Sequence, residues 1–236
     1  IAQNTSMLSR FMREARLLAQ VGSPYVAKLI DANSDQGLHF LAIEYISGGP
    51  LSTAMQKVGR ITERKTLRLI LDAVHALTVA HQQTIVHRDI KPENILLTSA
   101  GQEFLESSRS TTATTDVDTD TGKESMPLVK LSDFGLARTD HSSESMAVTQ
   151  DGTILGTPLY MSPEQSRGMA ADARSDVYSI GATLFHMLAG RPPFEGDNPV
   201  SLMNAHCHDP LPPLRQICPD LSEGCVSVVE KCLAKN

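Results

Sequence analysis

The chain has 236 residues, of which 41% are hydrophobic and 20% charged, with a formal net charge of -6. This length and apolar content support one sizeable core and exclude a wholly disordered protein. The acidic balance gives no reason to expect nucleic-acid binding, and no Lys/Arg-rich block contradicts it. No apolar run reaches the roughly 18 residues that a membrane-spanning helix needs, and no signal-like stretch opens the chain. We therefore expect a soluble chain without membrane contact.

Residues 11–21 have apolar side chains at helical spacing and predict an amphipathic helix. Two strands are predicted next, at 26–30 and 38–46, with a turn at 33–37 between them. The Gly- and Pro-containing residues 47–50 then predict a flexible connector.

The rest of the chain is predicted to be mostly helical, beginning with a long buried helix at 62–80. Short apolar runs at 95–97 and 128–131 suit a small β-hairpin. Residues 175–189 are apolar nearly all round, which predicts a central core helix. Two more helices are expected at 198–208 and 222–235.

The four cysteines all lie in the last part of the chain, at Cys207, Cys218, Cys225 and Cys232. None forms a CxxC pair, so a zinc site is not expected. Buried, reduced thiols of a cytosolic protein are favoured over disulfides.

Residues 107–125 differ from the rest, being mainly Ser and Thr with several acidic residues and one bulky apolar group. Such a stretch cannot bury enough surface to offset the entropy of ordering it. We expect a tolerated surface loop there. A phosphorylated regulatory loop is the alternative.

Three motifs follow one another: HRDIKPEN at 87–94, DFG at 133–135 and GTPLYMSPE at 156–164. The first supplies a carboxylate that could accept a hydroxyl proton, and with the second it offers oxygen ligands suited to Mg²⁺. All three in this order are hard to obtain by chance. The chain resembles a serine/threonine protein kinase, and SPEQ together with AGRPPFEGDNP favours a bacterial eukaryotic-like member.

The resemblance implies an α+β, bilobal protein-kinase fold. Residues 1–46 would form the later part of the small lobe, and 47–236 a mainly helical large lobe truncated at its C-terminus. The hairpin would carry an insertion around 99–127, expected to be disordered.

The resemblance also assigns the reacting groups. Asp89 matches the catalytic base, Lys91 the residue that stabilises the transferred phosphoryl group, and Asn94 and Asp133 the Mg²⁺ ligands. Glu14 matches the helix glutamate that pairs with an ATP-positioning lysine.

Adenine would bind to the backbone of a hinge that includes Glu44 and Ile46. Ile43 would be the gatekeeper before that hinge, and Leu96 the apolar floor beneath the base. A stack linking the lobes would comprise Leu18, Leu29, His87 and Phe134, with Asp176 holding the base.

An activation segment would run from Asp133 to Glu164. Thr157 matches the threonine that contacts the catalytic Asp and Lys. Arg88 predicts control by phosphorylation, because an arginine there needs an anion to pair with. Thr153 and Thr149 are the candidate acceptors.

Two family features are absent from these residues: a GxGxxG loop and the VAIK-type lysine. We therefore expect a fragment that transfers little phosphate by itself, because positioning supplies most of this catalysis. The kinase domain of the parent protein would be cytoplasmic. Whether the parent also has a membrane anchor elsewhere is left open.

The implied function is transfer of the γ-phosphoryl group of ATP, with Mg²⁺, to Ser or Thr of protein substrates. One alternative is a pseudokinase that acts as a binding or scaffolding module, although an intact set of reacting groups argues against it. Another is a small-molecule kinase, which the peptide-platform motif at 156–164 argues against.

Overall fold

The computed structural model describes residues 19–35, 38–107, 126–134 and 158–235. Its strands are β1 (Leu29–Asp35), β2 (Leu38–Ile43), β3 (Ile95–Leu97) and β4 (Val129–Leu131). Its helices are α1 (Leu51–Val58), α2 (Glu63–Gln82), α3 (Ser99–Glu106), α4 (Pro163–Ser166), α5 (Ala173–Ala189), α6 (Pro199–His208), α7 (Leu214–Ile217) and α8 (Glu223–Cys232). A 3₁₀ turn, Pro92–Asn94, precedes β3. Within these ranges, no helix is both long and apolar enough to cross a bilayer.

The α+β architecture consists of two small antiparallel sheets, β1–β2 and β3–β4, and a helical body. The predicted strand at 26–30 and turn at 33–37 are wrong in their boundaries. β1 begins later and continues through Asn33, which lies opposite Phe40 in β2. Pairing along the whole of β2 outweighs the turn preference of the polar residues in β1. Val26 makes only an isolated parallel bridge, to Leu131.

The predicted hairpin of β3 and β4 is confirmed, with Leu96 opposite Lys130. The connector at 47–50 lies against β3. The Gly48 N–H donates to the Leu97 carbonyl over 3.0 Å, and the Leu97 N–H donates to the Gly49 carbonyl over 2.8 Å. A Cβ at Gly48 would lie 2.5 Å from the Leu97 oxygen, so only glycine fits this approach.

Helix α3 corrects part of the expected disorder at 99–127, because its residues form a regular helix. Thr98 caps its N-terminus by accepting the Gly101 N–H over 3.1 Å. Lys65 in α2 donates to the carbonyls of Leu105 and Ser107 at the other end. Residues 108–125 lie outside the described residues, so disorder there stays a prediction.

Helix α5 is the predicted central helix, and α2 and α8 pack against it. Gly181 in α5 allows a close approach of α8, since a Cβ there would lie 2.6 Å from the Cβ of Cys232. Cys207, Cys218 and Cys225 are buried free thiols, and Cys232 is partly buried. The core therefore depends on close contact between α5 and the last helix.

His206 in α6 is a buried polar group within this body. Its Nδ1 lies 2.9 Å from the Tyr178 hydroxyl, and its ring packs edge-on against Phe194. Lys235 Nζ lies 4.2 Å from the centre of the Phe194 ring. Burial, aided by the positive charge of Lys235, lowers the pKa of His206 to about 4.

Gly181→Ala should destabilise the protein by about 1–3 kcal/mol, because the new methyl group would overlap α8. Urea unfolding measures this. Gly224→Ala, in the first turn of α8, has open space around the new Cβ and should be neutral or slightly stabilising. Equal effects of the two substitutions would contradict the close packing of α5 on α8.

The free energy of unfolding should fall as the pH drops from about 6.5 toward 4, because unfolded His206 takes up a proton that the folded state refuses. At about 1.4 kcal/mol per pKa unit, His206 contributes up to about 3 kcal/mol of this loss. His206→Gln should be less stable at neutral pH but should show a shallower decline in urea unfolding. Exposed His208→Gln is the control. If the free energy of unfolding of His206→Gln fell with pH as steeply as that of the unmodified protein, the lowered pKa of His206 would be contradicted.

Candidate active site

The loop after α2 is held by the buried carboxylate of Asp176, in the first turn of α5. Oδ2 of Asp176 accepts the His87 N–H over 2.9 Å and Nε2–H of His81 over 2.7 Å. Oδ1 accepts the Arg88 N–H over 2.8 Å. Three donors satisfy a charge that would otherwise be costly to bury. The backbone just before Asp89 is thereby tied to the central helix.

His87 joins this loop to the segment after β4. Its ring is fully buried, and Nε2 lies 2.9 Å from the Ser132 carbonyl. A carbonyl can only accept, so Nε2 carries the proton and Nδ1 faces the Asp89 N–H, 3.4 Å away. Burial lowers the pKa of His87, which favours the neutral ring. The ring also packs 4.5 Å from that of Phe134.

The structure brings Asp89, Lys91 and Asn94 into contact. Lys91 Nζ lies 2.7 Å from Oδ2 of Asp89. The Asn94 side chain donates to the same oxygen over 3.0 Å and to the Asp89 backbone carbonyl over 2.8 Å. The Asp89 and Lys91 side chains are each 35% exposed, so both can meet a substrate. This arrangement can accept a hydroxyl proton beside a cation that stabilises developing negative charge.

The residue before Asp133 ties it to this cluster. The Ser132 N–H donates to the backbone carbonyl of Asn94 over 3.0 Å, so Asp133 begins beside Asn94. Asp133 has a left-handed backbone, with φ of 58°, which is uncommon outside glycine. The buried ring of Phe134 follows it. Strain of this kind persists where the surroundings over-determine the conformation, as at a functional site.

The donor set around Asn94 and Asp133 fits Mg²⁺. The side-chain nitrogen of Asn94 donates to Asp89, so the side-chain oxygen, Oδ1, is the atom left to act as a ligand. Across the described ranges, no group of three His, Cys, Asp or Glu is arranged to hold a metal. One carboxylate and one amide oxygen instead suit an ion that keeps waters and phosphate oxygens as its other ligands.

The predicted hinge lies where β2 ends, and its first side chain faces the hairpin. Oε1 of Glu44 accepts from Lys130 Nζ over 2.6 Å and from the Lys28 N–H over 2.8 Å. Burial opposes ionisation of Glu44, but these hydrogen bonds outweigh it and lower its pKa. Ile43 is exposed, Ile46 and Leu96 are half-buried, and their contacts with adenine stay a prediction.

A cleft of about 410 Å³ lies beside the Glu44–Lys130 pair, lined mainly by residues 21–29. It shares only Glu44 with the residues predicted to bind adenine. The other predicted adenine contacts, Ile43, Ile46 and Leu96, do not line this cleft.

Helix α4 is anchored on two sides. Ser162 and Gln165 form a capping box at its start. Glu164 accepts a hydrogen bond from the Ser175 hydroxyl at the start of α5. Gln165 also reaches across to the loop of Asp89, donating from Nε2 to the Arg88 carbonyl over 2.8 Å.

Five residues with predicted roles lie outside the described residues: Glu14, Leu18, Thr149, Thr153 and Thr157. Conversely, His81 and Gln165 are not among the predicted site residues, although His81 contacts Asp176 and Gln165 contacts the Arg88 carbonyl. The S-x-x-Q pattern at 162–165 could have revealed the capping box. Neither long-range contact has a sequence signal.

Asp176→Asn should destabilise the protein by about 2–4 kcal/mol, because an amide nitrogen would face backbone N–H donors in a buried site. Urea unfolding at pH 7 measures this loss. The control is Asp220→Asn, whose carboxylate forms an exposed ion pair with Arg60 and should matter little. A loss no larger in Asp176→Asn than in this control would contradict the anchoring role.

Comparison with known proteins agrees with this geometry. The family model for the protein kinase domain matches residues 2–236. The chain is 36% identical to the serine/threonine-protein kinase PknB of Mycobacterium tuberculosis over 241 residues, covering 100% of this chain and 34% of the relative. It is 31% identical to the probable serine/threonine-protein kinase pknA2 of Bifidobacterium longum over 228 residues, covering 97% of this chain and 26% of the relative. The chain thus spans about a third or less of these relatives' length.

The α+β architecture with two small sheets and a helical body is that of the protein kinase fold. The motif residues lie in one continuous match rather than in scattered segments. The chain belongs to the protein kinase family, and the relatives it is similar to are bacterial serine/threonine-protein kinases.

Proposed function

We propose that the protein containing this chain is a serine/threonine protein kinase that transfers the γ-phosphoryl group of ATP to protein hydroxyls. The observation that carries the proposal is the contact of Lys91 Nζ and the Asn94 amide with one carboxylate oxygen of Asp89. A base, a cation and a metal ligand are thus held within one hydrogen-bonded group.

Asp89 is proposed to orient the substrate hydroxyl and accept its proton. Its neighbours hold the carboxylate in one orientation, and the backbone beneath it is tied to Asp176. Lys91 would stabilise the negative charge on the transferred group. Chemistry of this kind depends mainly on positioning, which these contacts supply.

Asn94 and Asp133 are proposed to hold Mg²⁺ through side-chain oxygens. The ion would neutralise charge on the nucleotide phosphates when it is bound. The segment that carries Asp133 is fixed to the Asp89 loop by the hydrogen bond from His87 to Ser132. Base and metal ligand are therefore expected to move as a unit.

The substrate class is proposed to be Ser- or Thr-bearing proteins. Support comes from Lys91, which follows the Ser/Thr-kinase pattern, and from the similarity to relatives named as serine/threonine-protein kinases. We also propose a cytoplasmic location for this domain, because its nucleotide substrate is found there.

A pseudokinase has no need of these contacts. A scaffold could lose Lys91, Asn94 or the carboxylate of Asp89 without loss of binding. No observation in the described residues favours that alternative.

Asp89→Asn in the product of the complete reading frame should lower phosphotransfer by at least about 100-fold, since the base is lost. Binding of Mg²⁺–ATP should stay within a few-fold of the unmodified protein. Transfer of radiolabelled phosphate to a protein substrate measures the first quantity, and calorimetry measures the second.

Asp220→Asn is the matched control, because the same change falls on an exposed ion pair. It should leave both quantities unchanged. Ordinary turnover by Asp89→Asn would refute the base assignment, and loss of nucleotide binding in that variant would point to a misfolded site.

A further inference from the structure

Gln165 makes more contacts than its capping role requires. Its side-chain oxygen, Oε1, accepts the Ser162 N–H over 3.1 Å, and its backbone N–H donates to the Ser162 hydroxyl over 3.4 Å. These two bonds complete the capping box of α4. Its Nε2 additionally donates to the Arg88 carbonyl over 2.8 Å. One side-chain amide thus joins α4 to a loop 77 residues away in sequence.

Only one orientation of the Gln165 amide suits these neighbours. The Ser162 N–H requires an acceptor, and the Arg88 carbonyl requires a donor. A flipped amide would place two donors together at one end and two acceptors together at the other. The contact is therefore directional, which a passive packing contact would not be.

Arg88 is the residue at which such a contact has most effect. It is a non-glycine residue with φ of 68°, a left-handed conformation that has to be held by its surroundings. Asp176 holds its N–H and Gln165 holds its carbonyl. That carbonyl belongs to the peptide unit leading into Asp89, so any rotation of this unit turns the Asp89 side chain.

Helix α4 follows directly on residues 158–161, and it packs against both α5 and α6. In the family pattern these residues close the segment that begins at Asp133. A shift of α4 therefore reaches the Arg88 carbonyl through a single side chain.

We propose that Gln165 is a positioning residue that couples the end of this segment to the orientation of Asp89. The proposal rests on the proposed kinase function. It assigns to Gln165 an effect on turnover rather than on nucleotide binding.

The test uses two variants in the product of the complete reading frame. Gln165→Leu removes both the donor and the acceptor, and should lower kcat about tenfold with little change in KM for ATP. Gln165→Glu keeps the shape and the acceptor but places a carboxylate against the Arg88 carbonyl. At pH 8 the kcat of Gln165→Glu should be about tenfold or more below that of the unmodified protein.

The pH profile separates positioning from general damage. Protonation of the introduced carboxyl restores a donor, so the deficit of Gln165→Glu relative to the unmodified protein should shrink severalfold between pH 8 and pH 6. The deficit of Gln165→Leu should stay constant over that range. Gln102→Glu, a surface change in α3, should match the unmodified protein throughout.

Amide hydrogen exchange supplies a readout that does not require activity. In Gln165→Leu the amides of His87, Arg88 and Asp89 should exchange faster, while those in α2 should not change. Normal kcat in both variants, equal pH-independent deficits, or unaltered exchange would each overturn the proposal. An unmodified protein without phosphotransfer would instead refute the kinase function, and the exchange result would still decide the coupling.

Discussion

The buried carboxylate of Asp176 is the contact on which the rest of the site depends. It accepts two backbone N–H groups and one imidazole N–H, and it lies in the first turn of the most deeply buried helix. A buried ion is tolerated when several donors satisfy it, and removal of those donors is costly. The helix supplies a rigid frame because most of its residues are buried, and it packs against α2 and α8. The loop that carries Asp89 is held rigidly as well, because its backbone is hydrogen-bonded to this carboxylate.

From this anchor, the site is built by short links between segments distant in the chain. The His87 ring links the Asp89 loop to the carbonyl of Ser132, and the Ser132 N–H donates to the carbonyl of Asn94. Burial keeps the His87 ring neutral, and the carbonyl of Ser132 determines which nitrogen bears the proton. A charged ring would gain a second donor where an N–H already points. Burial and proton position thus act together to hold Asp89 and Asn94, the proposed base and metal ligand, in fixed relation.

Much of the helical body was predictable, because long elements carry their apolar residues at a clear period. This holds for α2 and α5, and the short apolar runs of β3 and β4 were equally informative. The boundaries of β1 were not, because cross-strand pairing of Asn33 with Phe40 overrides a polar, turn-like composition. Helix α3 was missed since its stability comes from the Thr98 cap and the distant Lys65.

The proximity of Asp89, Lys91 and Asn94 was predictable because motif spacing places them within one loop, while their roles in the reaction stay predictions. The structure adds the contacts that hold that loop, from His81, Asp176 and Gln165. Of these, only Asp176 followed from the family pattern. The other two act through contacts between segments far apart in sequence, which no local pattern records. The roles of Glu14 and Thr157 stay predictions.

The central claim is that Asn94 and Asp133 hold the metal of a phosphoryl-transfer site beside Asp89. The most direct measurement is nuclear magnetic resonance of the asparagine side-chain amides with Mn²⁺ and ATP in place of Mg²⁺–ATP. Paramagnetic broadening should remove the Asn94 signal, identified by its absence in Asn94→Ala, while the signal of exposed Asn198 persists. An Asn94 signal that stays sharp at saturating Mn²⁺–ATP would contradict the account.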